Sequence, residues 1–117
     1  MIREIEFYKN YFTNFYSKQN LKVQEKIEYT LEMVRQVERI PKKFFQHLTG
    51  TDGLYEVRVE YQSNIYRIFC FFDKGKLVIL LNAFQKKTNK TPKKELELAK
   101  RLKTDYFKDK KRKDGRL

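Results

Sequence analysis

LYEVRVEYQSNIYRIFCFFDKGKLVILLNAF, residues 54–84, is the stretch that decides the fold. Apolar and polar residues alternate through most of it with the period of two that is typical of β-strands. Ser63-Asn64 and Lys74-Gly75 have the polar and glycine character of short turns. The stretch therefore predicts an antiparallel meander of three strands.

The two turns also predict a register, because a slip of one residue would reverse every side chain. In this register Arg67 lies opposite Glu60 and Asn82. One face is predicted to be the main core, formed by Tyr55, Val57, Val59, Tyr61, Tyr66, Ile68, Cys70, Phe72, Leu77, Ile79, Leu81 and Ala83. The other face is apolar at one end, with Phe69, Phe71, Val78 and Leu80. Its half-polar end, a candidate site, holds Arg58, Glu60, Arg67, Asn82 and Phe84.

Two helices are predicted ahead of the meander, after a short strand at residues 2–8. Aromatic residues recur at helical spacing between Tyr8 and Tyr16. Asn20 is a candidate N-cap for a longer amphipathic helix that should end near Ile40, because Pro41 cannot continue it. Its apolar stripe contains Val23, Ile27, Leu31, Val34 and Val37.

A final helix is predicted with Thr91 as its N-cap and Pro92 at its first position. Its apolar stripe consists of Leu96, Ala99, Leu102 and Tyr106. Residues 108–117, KDKKRKDGRL, contain almost no apolar side chains and are predicted to be a disordered basic tail. The sequence thus indicates one α+β domain, residues 1–107, with N-terminal helices packed on a small antiparallel sheet.

The chain is strongly basic, with a formal net charge of +12 at pH 7. Residues 84–117 carry fourteen basic and five acidic groups, so the positive charge belongs to the C-terminal third. This favours a polyanionic partner, either nucleic acid or an anionic membrane, without specifying an activity.

Other features narrow the class of protein. Cys70 is the single cysteine and lies in an apolar run, which predicts a buried thiol in a reducing compartment. No segment reaches the roughly 18 apolar residues needed to span a bilayer, so we expect a cytoplasmic protein that binds no membrane. His47 is the only histidine, which gives a metal site little support. No nucleotide, metal or cofactor motif is present.

The segment FQKKTNKTPKKE, residues 84–95, follows the last predicted strand and is rich in lysine. Ammonium groups, hydroxyls and a helix N-terminus can each hold phosphate. The predicted phosphate or RNA contacts are Asn82, Thr88, Lys90, Lys93 and Lys94. The alternative is a solvated basic loop without a ligand.

Cationic side chains of this kind can support cleavage of RNA, because the 2′-hydroxyl of the RNA is itself the nucleophile. Arginine neutralises the phosphoryl oxygens that gain charge in such a reaction. Arg67 is the first candidate, since packing explains it poorly in an apolar strand. The alternatives are a partly buried salt bridge of Arg67 with Glu60 or Glu56, and an exposed ion pair for Arg58.

These residues also resemble a family. LYE at residues 54–56 with Arg58, YRIF at residues 66–69, and FQKKT followed by KTP at residues 84–92 occur in an ordered combination. Over residues 2–107 the chain resembles the RelE/ParE toxin superfamily of type II toxin–antitoxin modules, in its HigB or phage Gp49-like branch. The resemblance implies two N-terminal helices on a small antiparallel sheet and a C-terminal helix at the sheet edge.

The resemblance further implies a metal-free endoribonuclease that cuts messenger RNA in the ribosomal A site, beside 16S ribosomal RNA. Its expected partner is an antitoxin with a helix-turn-helix domain. The family's site residues correspond to Arg67, Arg58, Lys86 and Lys87. Some relatives carry a tyrosine or histidines for proton transfer where this chain has residues 88–91, so Lys86, Lys87 and Glu56 are the candidates here.

Two other functions fit the same sequence. A ParE-like inhibitor of gyrase would share the fold and bind without catalysis. A phage-derived nucleic-acid-binding domain would neither cleave RNA nor poison the cell. An antitoxin could present acidic groups to the lysines of residues 86–94 or apolar groups to the aromatic N-terminal helices.

Overall fold

A computed structural model describes residues 1–114 of the chain, which form three helices and five strands. The helices are α1 (Tyr11–Ser17), α2 (Leu21–Gln36) and α3 (Lys93–Asp114). The strands are β1 (Glu4–Phe7), β2 (Phe45–His47), β3 (Leu54–Tyr61), β4 (Asn64–Asp73) and β5 (Leu77–Lys86). This arrangement confirms the predicted α+β class.

The strands form one sheet in the order β1-β5-β4-β3-β2. The meander β3-β4-β5 is antiparallel, as predicted. The expectation of an antiparallel sheet throughout was wrong, because β1 pairs with β5 in parallel and the sheet is mixed. Strand β2 was not predicted, since three residues are too few to show a periodic pattern.

The first meander turn lies one position earlier than predicted. Gln62 and Ser63 have φ of 49° and 69°, as a two-residue hairpin turn with left-handed central residues requires. Tyr61 therefore pairs with Asn64, and the predicted register is wrong by two residues. A shift of two preserves the faces but changes the partners, so Arg67 lies opposite Arg58 instead of Glu60.

The turn between β4 and β5 is one residue longer than predicted, because Asp73 pairs with Leu77 and not with Lys76, and this reverses the faces of residues 77–81. A β-bulge further along β5 then restores the predicted face of Ala83. Ile68 pairs with Ala83 and Cys70 with Leu80, so β5 uses one residue more than β4 between these two pairs. Leu77, Ile79 and Leu81 were predicted to face the main core, but they pack in the cluster beneath α3. Val78 and Leu80 were predicted to lie on the other face, but they pack in the main core.

Both faces of the sheet are covered by helices. Helices α1 and α2 pack on the face that carries Val57, Val59 and Ile68. Helix α3 packs on the other face through the predicted stripe, in which Ala99 and Leu102 are buried. The C-terminal helix therefore covers a face of the sheet, whereas the resemblance had implied a position at its edge.

Side-chain hydrogen bonds stabilise both ends of α2. Asn20 caps its start as predicted, since the Val23 N–H donates to Asn20 Oδ1 at 2.9 Å. The helix ends at Gln36, short of the predicted Ile40. Arg3 binds the freed carbonyls, because its guanidinium donates to the oxygens of Val34, Val37 and Glu38 at 3.0, 2.6 and 2.8 Å.

The predicted disorder of residues 108–117 is wrong for residues 108–114, because α3 continues to Asp114. Lys110 contacts the buried Asp73 at 2.8 Å, and Tyr8 donates a hydrogen bond to Asp109. Residues 115–117 lie outside the described residues. Within residues 1–114, none of the helices combines the length and the apolar character needed to cross a bilayer.

Candidate functional site

Two arginines face each other across adjacent strands and share one carboxylate. Arg58 of β3 and Arg67 of β4 are directly opposed. Arg67 Nε lies 3.4 Å from Glu56 Oε1, and Arg58 Nε lies 3.8 Å from Glu56 Oε2. Like charges at opposed positions destabilise a sheet, and here two guanidinium groups share a single carboxylate. We call Glu56, Arg58 and Arg67 the arginine cluster.

The two arginines differ in depth. The side chain of Arg67 is 3% exposed, whereas that of Arg58 is 30% exposed. Burial lowers the pKa of Arg67 and the Arg58 charge adds to this, while the Glu56 charge opposes it. An arginine remains charged in spite of such a shift. The cluster therefore has a buried positive charge beneath an accessible one.

Each arginine is held by hydrogen bonds to its surroundings. Arg67 Nη1 donates to the Tyr66 carbonyl at 3.1 Å, but Arg67 Nε has no hydrogen-bond acceptor among the described residues. Arg58 Nη1 donates to Gln46 Oε1 at 2.6 Å. Gln46 lies on β2, so sequence reasoning missed both the strand and this contact. Its side chain fixes the direction in which Arg58 points.

Lys86 extends the site along β5. It is half-buried and lies opposite Ile65, while its neighbour on the same face, Phe84, lies opposite Arg67. Diagonal neighbours on one face of a sheet have Cα atoms roughly 7–8 Å apart, which places Lys86 within reach of a ligand bound at the arginine cluster. Phe84 packs edge-on against Phe69, with ring centroids 5.1 Å apart, and forms an apolar boundary.

The remaining predicted cations lie apart from the arginine cluster. Lys87, Thr88 and Lys90 are exposed in the segment between β5 and α3, where the Thr88 hydroxyl donates to the Lys90 carbonyl at 3.1 Å. Lys93 and Lys94 are the exposed first residues of α3. They form a basic surface without a fixed geometry.

Asn82 makes a structural contact, although the sequence predicted that it would be open to phosphate or RNA. Its side chain faces α3, where its Nδ2 donates to the carbonyl and to Oε1 of Glu95, both at 3.0 Å. The residue is only 2% exposed. Asn82 is therefore closed to RNA in this conformation and ties β5 to α3.

Other titratable groups lie outside the site. Burial raises the pKa of the Cys70 thiol, in line with the predicted buried cysteine, so this thiol is unreactive. Among the residues that the structure describes, no three His, Cys, Asp or Glu side chains are grouped as metal ligands would be. The groups that the arginine cluster and Lys86 bring to this site are guanidinium, carboxylate and ammonium.

Comparisons with known proteins identify a family and two solved structures to which this chain is similar. The model of a family described as phage-derived Gp49-like proteins matches residues 14–104. The RelE–RelB complex from Pyrococcus horikoshii OT3 aligns with a TM-score of 0.53 and 16% identity, covering 71% of this chain and 93% of that chain. An antitoxin–toxin RelB–RelE complex from Methanococcus jannaschii has a TM-score of 0.49 and 15% identity, covering 67% and 86%. No curated protein matches significantly.

Proposed function

Because the chain belongs to the phage-derived Gp49-like family, we propose that it is the toxin of a type II toxin–antitoxin pair and cleaves messenger RNA on the ribosome. The RelE fold supports the proposal, since the structure from Pyrococcus horikoshii is a RelE–RelB complex. The expected partners are a helix-turn-helix antitoxin and ribosome-bound messenger RNA in the cytoplasm.

The observation that carries the enzymatic part is the arginine cluster. Two opposed guanidinium groups with a single carboxylate leave one positive charge uncompensated. A phosphodiester brings one negative charge, and a second develops on its oxygens as the transition state forms. Arginine suits this role because its planar fork pairs with two oxygens and stays charged at neutral pH.

The reaction that these groups support is attack of the RNA 2′-oxygen on the adjacent phosphorus. The new bond closes a 2′,3′-cyclic phosphate, and the bond from phosphorus to the 5′-oxygen breaks. Arg58 binds the phosphate from the accessible side, and Arg67 stabilises the added charge from below. Such fixed charges act strongly because they need no reorganisation in a site of low polarity.

Two proton transfers complete the reaction. When phosphate takes over Arg58, the Glu56 Oε2 that had contacted it becomes available and accepts the proton of the 2′-hydroxyl. Arg67 keeps the carboxylate in place through Oε1. Lys86 donates a proton to the departing 5′-oxygen. Lys87, Lys90, Lys93 and Lys94 attract the polyanion around the cut site.

The test uses purified ribosomes, a defined message and the purified protein, with primer extension to locate new 5′ ends. We expect ends inside the translated frame that depend on the ribosome. Arg58→Ala should slow cleavage by about 10²-fold or more. Arg101→Ala is the matched control, since this exposed residue of α3 carries the same charge away from the cluster.

A second variant tests the proton acceptor. Glu56→Gln preserves the shape of the side chain but removes its basicity, so cleavage should fall by about 10²-fold or more. Intact messages with the unaltered protein, together with inhibition of gyrase supercoiling, would replace the ribonuclease proposal by the gyrase one. Equal cleavage by Arg58→Ala and Arg101→Ala would remove the arginine cluster from the mechanism.

A further inference from the structure

A cavity adjoins the arginine cluster at the edge of the sheet. It has a volume of about 330 Å³ and is lined by Lys26, Lys43, Phe44, Arg58 and Glu60. Strand β2 is only three residues long, and the last bond on this edge joins the Arg58 N–H to the Phe44 carbonyl at 2.8 Å. The cavity forms where β2 stops covering β3 and α2 passes close by.

Its charge is strongly unbalanced, with three cations and one carboxylate. Among the ion pairs of residues 1–114, none includes Lys26, Lys43 or Glu60. Two residues hold their ammonium groups over aromatic rings instead. Lys26 Nζ lies 5.3 Å from the centroid of Tyr29, and Lys43 Nζ lies 5.1 Å from that of Phe44. Both amines are thus held near the cavity but are free to pair with an anion.

The cavity also offers an aromatic surface. Phe44 is half-buried and follows the turn at Pro41, whose carbonyl accepts the Phe44 N–H at 2.9 Å. The backbone of Phe44 is therefore held on both sides, through its N–H and its carbonyl. An aromatic ring among cations is a combination that binds single-stranded nucleic acid, in which bases stack and phosphates pair with amines.

We propose that this cavity is a nucleotide subsite for single-stranded RNA, which holds a nucleotide that flanks the one bound at the arginine cluster. The inference rests on the proposed function, because it takes RNA as the substrate. Arg58 belongs to both places, so the phosphate that it binds joins the two nucleotides. Lys26 and Lys43 bind the next phosphate, and Phe44 stacks on the base. The RNA then runs from Lys86 across β4 and β3 to this edge.

The first experiment measures binding to a short single-stranded RNA whose 2′-hydroxyls are methylated, so that it cannot be cleaved. Fluorescence anisotropy at several salt concentrations gives the slope of log affinity against log salt. That slope changes by about 0.7 for each phosphate contact to a single strand. The double variant Lys26→Gln/Lys43→Gln loses the contact to one phosphate and should therefore lower the slope by about 0.7. Lys108→Gln/Lys111→Gln, on exposed α3 positions, is the control for total charge.

The second experiment tests stacking. Phe44→Leu should weaken RNA binding by about 5-fold or more, since loss of an aromatic platform costs at least this much per base. Phe44→Tyr retains the ring and should bind like the unaltered protein. Circular dichroism shows whether each variant is folded, and the salt slope of the lysine variant does not depend on the Phe44 result.

The outcomes separate this inference from the proposed function. Cleavage on the ribosome together with equal salt slopes for the two double variants would overturn the subsite and leave the ribonuclease in place. A selective loss of RNA affinity in Lys26→Gln/Lys43→Gln without any cleavage by the unaltered protein would keep the subsite and reject the ribonuclease. A selective loss of antitoxin affinity with unchanged RNA binding would make the cavity a protein contact and overturn the inference.

Discussion

Replacement of Arg67 by methionine tests whether the arginine cluster is built for stability or for catalysis. The change removes a guanidinium that is 3% exposed and 3.4 Å from a Glu56 carboxylate that is itself 12% exposed. Removing one partner of a buried ion pair costs about 3–5 kcal/mol, because the other charge remains buried. Arg58 still approaches the carboxylate, so we expect the lower value, about 3 kcal/mol.

The double replacement Glu56→Leu/Arg67→Met should be far less costly than the sum of the single changes. Apolar residues of similar volume are often as stable as a buried ion pair, so the coupling free energy should be at least about 3 kcal/mol, the loss expected for Arg67→Met alone. Equilibrium unfolding in urea measures each variant. Arg35→Met is the control, because its 3.2 Å pair with Glu32 lies on the exposed surface of α2 and should contribute little.

A loss in Arg67→Met no larger than that in Arg35→Met would refute the description of a buried pair. The description would also be refuted if the double variant lost as much free energy of unfolding as the two single variants together. Cleavage of messenger RNA by the folded variants then decides whether the arginine cluster acts in catalysis. If the cluster is catalytic, the folded double variant cuts no message on the ribosome, whereas a purely structural pair would leave cleavage unchanged.

Two further predictions concern α3. Burial raises the pKa of Asp73, but hydrogen bonds donated by α3 outweigh it and leave this pKa below its ordinary value. The stabilisation is therefore present above about pH 4 and lost as the pH falls through the lowered pKa. Asp73→Asn should speed hydrogen exchange in residues 104–114 at neutral pH. Unchanged exchange would contradict this prediction. Gly53→Ala should lower the melting temperature more than Gly50→Ala. Both glycines have a positive φ, +74° at Gly53 and +79° at Gly50, so alanine is strained at either position. Only at Gly53 would the added Cβ also meet Lys103 Nζ, at 3.3 Å. Equal melting temperatures would contradict the contact.

The sequence predicted which residues share a face better than it predicted which residues are neighbours. Glu56 and Arg58 lie on the same face of the sheet as Arg67. Any register shifted by an even number of residues keeps the three side chains on that face. The choice between Glu60 and Arg58 as the partner of Arg67 depended on one turn. Gln62 and Ser63 adopt left-handed conformations there without the Asn-Gly or Gly pattern that marks such turns.

The β-bulge in β5 could not be predicted for a different physical reason. Residues 77–81 read LVILL and are apolar on both faces, because helices cover both sides of the sheet. Without alternation, an extra residue leaves no trace in the pattern. Asn82 was predicted to be a site residue on the face of Arg67, but α3 packs on that face and Glu95 binds Asn82 there.

The last turns of α3 were not predicted, because the contacts that stabilise them are tertiary and leave no local sequence pattern. Residues 108–114 have almost no apolar side chains to pack. Lysine and arginine nevertheless favour helices, and basic residues suit a helix C-terminus. The contacts of Asp109 with Tyr8 and of Lys110 with Asp73 then attach this part of the helix to the sheet. Those partners are 101 and 37 residues away, beyond the range of any local pattern.

The unequal depth of the two arginines gives the proposed mechanism its order of events. Glu56 presents Oε1 to the buried Arg67 at 3.4 Å and Oε2 to the accessible Arg58 at 3.8 Å. An incoming phosphate competes for the outer, longer contact, because only Arg58 is open to solvent. Binding of RNA therefore separates Arg58 from Oε2 while Arg67 still holds the carboxylate. The same step that fixes the phosphate frees the oxygen that takes up the proton, so basicity develops only when the substrate is in place.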